Sequence, residues 1–153
     1  MPKEFRHIIR IAETDLDGSQ KVAQALTGIK GIGISLANTI VKRANISSEA
    51  RLGLLSDIEI DNIRDIIDKP KKHGMPDWLL NRQKDTDTGK DLHLTGSDLT
   101  LQTKSDIDEM KKIKSWRGFR HAHGLKLRGQ RTRTTGRSGK AIGVKKKRVS
   151  RER

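Results

Sequence analysis

The spacing of apolar positions changes several times along the first half of this chain, and each change marks an element. Phe5-Arg-His-Ile-Ile-Arg-Ile11 is apolar and β-branched, roughly alternating at Phe5, Ile9 and Ile11, and predicts a short strand or extended segment. Asp15-Leu-Asp-Gly18 reads as a turn. Between Gln20 and Leu26, the residues Val22, Ala23 and Leu26 share one face of a short helix. Ser56-Asp-Ile-Glu59 is a capping-box pattern opening a helix with Ile58, Ile63, Ile66 and Ile67 inward. Asp61, Arg64, Asp65 and Asp68 face outward, and Lys69-Pro70 closes the helix. These acids read as a solvated face, because no basic or metal-ligand partner is spaced with them. Met75-Pro-Asp-Trp-Leu-Leu-Asn-Arg82 predicts a brief helix with Pro76 near its start. Trp78, Leu79 and Leu80 are expected to close the core there; base stacking by Trp78 is the alternative.

Between the first two helical patterns lies Leu26-Thr-Gly-Ile-Lys-Gly-Ile-Gly-Ile-Ser-Leu-Ala37. One helix ends at Gly28, a tight loop carries Gly31 and Gly33, and a second helix starts at about Ile34. That helix shows Leu36, Ala37, Ile40, Val41 and Ala44 at 3.6-residue spacing. The pattern is that of a helix-hairpin-helix. Glycines without a Cβ let backbone approach a phosphate closely. The open N–H groups at the next helix N-terminus, with the helix dipole, favour an anion. Lys30, Gly31 and Gly33 are therefore phosphate candidates, with Ile29 and Ile32 anchoring the loop on the core. The other reading, in which the glycines only turn the chain between packed helices, stays open.

Residues 83–98 are polar, with Thr-Gly-Lys and Thr-Gly-Ser turns. A helical pattern resumes near Ser97 at Leu99, Leu101, Ile107, Met110, Ile113 and Trp116, with Ser105 and Asp108 suggesting a local N-cap. The stripe is thin, so this long helix is expected to pack on a partner or on its own neighbours.

Charge divides the chain sharply. Of 153 residues, 33 are Lys or Arg and 19 are Asp or Glu, giving a formal +14. Residues 1–110 hold 16 basic and 18 acidic residues; residues 111–153 hold 17 basic residues and the single acid Glu152. A body of net −2 thus carries an arm of net +16. Leu, Ile, Val and Phe fill 29% of residues 1–82 but 15% of residues 114–153, too little for the arm to offset its ordering entropy alone. The expected fold is mainly α. Residues 1–82 form a small helical body with the hairpin, 83–113 a polar connector and long helix, and 114–153 an extended basic C-terminal tail.

The chain has no cysteine, which excludes a disulfide framework, a thiolate zinc site and a cysteine nucleophile. It has no apolar run near the roughly 18 residues needed to cross a bilayer. Its start, MPKEFRHIIRIAE, is too polar and acidic for a signal peptide. No membrane, no cofactor and an intracellular location are expected, with a polyanion as partner.

The arm is patterned chemistry and not only charge. In Trp116-Arg-Gly-Phe-Arg-His-Ala-His-Gly-Leu-Lys-Leu-Arg-Gly-Gln-Arg-Thr-Arg-Thr-Thr-Gly-Arg137, Arg predominates over Lys and Gly recurs. The guanidinium fork suits bidentate phosphate contact and stacks on bases. The threonines add hydroxyl donors. His121-x-His123 lacks the i,i+4 spacing and further ligands of a helical zinc site, so RNA contact or stacking is the better reading. Lys145-Lys-Lys-Arg148 is a nuclear-localisation-like run or simply more counter-charge.

These residues resemble the universal small-subunit ribosomal protein S-thirteen family, in its archaeal/eukaryotic branch. The resemblance spans essentially the whole chain. Phe5 to Ala12, the hairpin Leu26 to Ala37, Pro76 to Arg82 and Lys111 to Gly118 carry it, and above all Arg120-His121, Gly124-Leu125 and Arg128-Gly-Gln-Arg-Thr132. The acidic middle segment fits that branch. The resemblance implies a structural, non-enzymatic component of the cytoplasmic ribosome that binds rRNA in the small-subunit head. It also implies an intersubunit bridge to proteins of the large subunit's central protuberance. A head neighbour of the S-nineteen family is implied, and a tail approaching peptidyl-site tRNA. On this basis the rRNA-binding candidates are Arg117, Arg120, His121, Lys126, Arg128, Gln130, Arg131, Thr132, Arg133, Arg137 and Lys140. Ser35 stands where relatives often carry Arg, which removes a charge from the hairpin helix start. Leu127 replaces a commoner Val, and Ala122 an often polar residue.

Two other readings compete. A helix-hairpin-helix DNA-repair enzyme would need a substrate-binding domain and carboxylate partner that this length does not supply. A basic chromatin-like protein would not need the Arg120-His121 and Arg128 to Thr132 blocks.

Overall fold

The computed structural model describes residues 5–133. The chain divides into two compact units, Met1–Lys104 and Ser105–Arg153. In the first, strands β1 (Ile8–Ile11) and β2 (Thr14–Asp17) pair antiparallel, with Ile9 opposite Leu16 and both buried. The Asp15 to Gly18 stretch is thus mostly strand, and the turn sits earlier, at Ala12 (φ +46°) and Glu13 (φ +60°). Two-residue hairpins favour this left-handed pair because its twist matches the strands. Neither residue type announces it, so the strand was not legible.

Helices α1 (Val22–Leu26) and α2 (Ile34–Arg43) form the expected hairpin, and Gly33 caps α2. Val22, Leu26, Leu36, Ala37, Ile40 and Val41 are buried, as are the loop anchors Ile29 and Ile32. Helix α3 (Asp57–Asp68) opens on the predicted capping box: the Glu59 carboxylate accepts the Ser56 N–H at 2.7 Å, and the Ser56 hydroxyl accepts the Glu59 N–H. Its inward residues are Ile60, Ile63, Ile66 and Ile67; Ile58 is 74% exposed. Two residues before Ile60 is 200° round the helix, so Ile58 falls on the opposite face.

The brief helix expected at Met75 to Arg82 is a single 3₁₀ turn, Asp77–Leu79, behind Pro76. That turn leaves Trp78 74% exposed, while Met75 joins the core, Leu79 packs against it and Leu80 is buried. The polar connector is more structured than its composition suggests. Arg82 and Leu92 exchange backbone hydrogen bonds at 3.2 and 2.7 Å. Asp85, buried, accepts from Arg82, from the Thr88 hydroxyl at 2.8 Å and from the Thr88 N–H at 3.2 Å. Arg82 and Thr88 hold its carboxyl below the ordinary carboxylate range. The long helix, α4, runs Gly96–Lys112 without a break, so Ser105 lies inside it and caps nothing. None of its residues is buried.

Candidate nucleic-acid interface

In the second unit the basic arm begins with a short helix. Helix α5 (Trp116–Ala122) is capped by Ser115, whose hydroxyl accepts the Gly118 N–H at 3.1 Å and donates to the Met110 carbonyl at 2.9 Å. Gly118 is buried against the end of α4: a Cβ there would lie 2.1 Å from the Met110 carbonyl oxygen. Only glycine permits that approach. Local chain order therefore comes from one serine and one glycine, not from burial of apolar side chains.

Along α5, residues 116, 119 and 123 fall on one stripe, since steps of three and seven keep close to one helix face. Trp116 and Phe119 stack with ring centroids 5.8 Å apart and planes 14° from parallel. Phe119 and His123 follow at 4.2 Å, tilted by 38°. The Arg120 guanidinium carbon lies 5.8 Å from the Trp116 ring centroid, within cation–π range. Its Nε and Nη2 both donate to the Lys126 carbonyl, at 2.9 and 2.7 Å.

The predicted contacts distribute unevenly. Arg117, Lys126, Arg128, Gln130, Arg131, Thr132 and Arg133 are exposed, and His121 is partly so. Residues 124–133 contain no helix or strand. Arg120 serves an internal tie as well as facing the arm. Arg137, Lys140 and the Lys145–Arg148 run lie outside the described residues. From Lys111 to Arg133 the sequence holds nine Lys or Arg and no acid. The aromatic stripe does not show in the sequence spacing, which places Trp116 on the preceding helix. Its signal was available: Trp116 and Phe119 are two of only four aromatic residues in the chain, three apart.

In the first unit the hairpin candidates separate. Gly31 adopts φ +100°, and a Cβ on it would lie 2.5 Å from the Leu94 carbonyl oxygen. Lys30 accepts the Gly96 N–H on its carbonyl at 2.9 Å, with its side chain exposed. This side of the loop is occupied by residues 94–96, which accounts for Gly31 by internal packing. Gly33 is exposed at the α2 N-terminus, with nothing within 4 Å of a Cβ position. Among the described residues, the buried side-chain polar atom without a hydrogen-bond partner is His93 Nε2, and burial pushes this imidazole's pKa down. Among the described residues no cluster of His, Cys, Asp and Glu is arranged to hold a metal ion, and no helix is long and apolar enough to cross a membrane.

Fold and charge thus define a helix-hairpin-helix protein with a cationic arm. Comparison with known proteins makes this specific: the profile of the ribosomal protein S13/S18 family matches residues 10–138. The chain belongs to that family, whose members are structural proteins and not enzymes. It is 54% identical over 146 residues to the small ribosomal subunit protein uS13 of Staphylothermus marinus, covering 95% of this chain and 97% of that one. The uS13 of Hyperthermus butylicus is 50% identical over 144 residues, covering 94% and 95%. That of Saccharolobus solfataricus is 46% identical over 150 residues, covering 98% and 91%.

Proposed function

We propose that this protein is a structural constituent of the small ribosomal subunit that binds rRNA in the subunit head through its basic arm. The observation that carries this reading is the cationic run in the sequence: nine Lys or Arg and no acid across residues 111–133 in a member of a ribosomal family. Such a segment cannot neutralise itself, so phosphates are its natural counter-ions. Arg117, Arg128, Arg131 and Arg133 bring guanidinium forks, while Gln130 and Thr132 bring neutral donors. Arg137 and Lys140 continue the same chemistry along the sequence. At the hairpin, Lys30 and Gly33 remain phosphate candidates, because the open α2 N-terminus carries unpaired N–H groups and a positive dipole end. Gly31 contributes by shaping the loop.

The helical body supports an intersubunit bridge to the large subunit's central protuberance, an S-nineteen family protein neighbours it in the head, and the tail approaches peptidyl-site tRNA. The body's near-neutral charge suits protein contacts, and the arm's +16 suits RNA.

The test is co-sedimentation with small subunits together with the salt dependence of RNA affinity. Contact with about ten phosphates of single-stranded RNA gives a log–log slope of roughly −7. Deleting residues 127–153 flattens it. An unchanged slope would place the electrostatic binding in the body. Recovery on chromosomal DNA, free of ribosomal particles, would overturn the ribosomal reading.

A further inference from the structure

The Trp116–Phe119–His123 stripe needs an occupant. Trp116 is 69% exposed and Phe119 49% exposed, so neither ring is held by a core. Large aromatic rings left in water forgo their burial energy, and an ordered, stacked pair of them marks a surface that binds something.

We propose that this stripe is a stacking platform for an unpaired nucleobase of single-stranded RNA, with Trp116 as its principal plane; this rests on the RNA-binding reading above. Three features favour that occupant. Trp116 and Phe119 are already stacked, so a base adding to Trp116 extends an existing pair without reordering it. The surrounding residues are cationic, with Arg117 and Lys114 beside Trp116 in sequence and no acid from residue 111 to 133. The cores of protein–protein interfaces are instead depleted in charge. Finally, Arg120 is held beside Trp116 by two hydrogen bonds to the Lys126 carbonyl, so its plane is set before any ligand arrives. A nucleotide combines a π-face with a phosphate, which matches this combination of ring and cation.

Trp78 provides an internal contrast. It is similarly exposed, but the carboxylate of its neighbour Asp77 is paired with Lys71 at 3.3 Å, so the acid offsets the cation beside this ring.

The experiment uses the full chain carrying Trp78→Phe, which leaves Trp116 as the sole tryptophan. Oligouridine is the probe because it does not stack on itself, with an abasic ribose-phosphate oligomer of the same length as its control. Trp116 fluorescence is expected to be quenched by oligouridine and not by the abasic oligomer, although both bind. Trp116→Leu should weaken oligouridine binding about 5- to 150-fold with the salt slope unchanged, and Trp116→Phe should retain most of the affinity. Unquenched fluorescence on saturation with oligouridine would overturn the platform, whatever the folding of the Leu variant. Undiminished RNA affinity in Trp116→Leu would do the same, and if that variant also failed to enter small subunits, the stripe would be a protein contact. Failure of the unsubstituted chain to bind either oligomer would overturn the RNA-binding reading itself.

Discussion

Asn81 holds the backbone of Leu94 with both ends of its side-chain amide: Nδ2 donates to the Leu94 carbonyl at 2.6 Å, and the Leu94 N–H donates to Oδ1 at 2.9 Å. The same Leu94 carbonyl oxygen lies 2.5 Å from where a Cβ on Gly31 would be. A side chain far from the hairpin in sequence thus positions the segment that covers the hairpin loop. Asn81→Ala removes both bonds. Because the pair is solvent-accessible, water replaces part of what is lost, and the expected cost is about 1 kcal/mol in urea unfolding. A midpoint identical to that of the parent protein would show that the clasp contributes nothing.

The two hairpin glycines should respond differently to the same substitution. Gly31→Ala meets both a left-handed backbone angle and a carbonyl oxygen, and should destabilise by about 1–3 kcal/mol or more. Gly33→Ala has φ −92° and open space, and should cost less than about 1 kcal/mol. Thermal unfolding of the pair separates a glycine required by internal packing from one that is not. Equal effects would remove the assignment of Gly31 to the Leu94 contact.

His93 makes stability depend on pH near neutrality. Burial lowers its pKa in the folded state, so the unfolded chain binds a proton more readily. As pH falls below the ordinary imidazole value of about 6.5, the unfolded state gains protons first, and folding stability decreases down to the folded-state pKa. Above that value the contribution is fully present. Urea midpoints measured from neutral to mildly acidic pH should fall, and His93→Gln should flatten that portion of the curve. A variant with the same slope would move the effect to another group.

The corner between α4 and α5 rests on Ser115 and Gly118. Loss of the cap in Ser115→Ala should cost α5 about 1 kcal/mol, read as faster amide hydrogen exchange over residues 116–122. Gly118→Ala places a Cβ against the Met110 carbonyl and should release the helix more completely. Unchanged protection at Phe119 and Arg120 in the glycine variant would mean that the corner tolerates a side chain.

Much of the body was readable from residue spacing. The hairpin helices, the loop anchors Ile29 and Ile32 and the Ser56–Glu59 capping box follow from period and local hydrogen-bonding chemistry, which act within a few residues. Ile58 and Trp78 were misplaced because an apolar residue type does not state its phase on the helix or its side of a 3₁₀ turn. Strand β2 was hidden because its turn is built from Ala12 and Glu13, which adopt left-handed angles under the constraint of the pairing strands. Among the candidate contacts, the cationic residues were legible by composition. The aromatic stripe was not, because its meaning depends on a helix starting at Trp116, set by the fit of Gly118 onto Met110.

By itself, then, the sequence determined the charge division, the hairpin and its buried anchors, and the family, because these reside in composition, short-range periodicity and motif. Only the tertiary structure decided that residues 81–96 clasp the hairpin loop, that Gly31 answers to Leu94, and that Trp116, Phe119 and Arg120 form one surface. Those relationships join residues by shape and hydrogen bonding across the fold, and a carbonyl oxygen or a ring face carries no mark in the sequence of what it will meet.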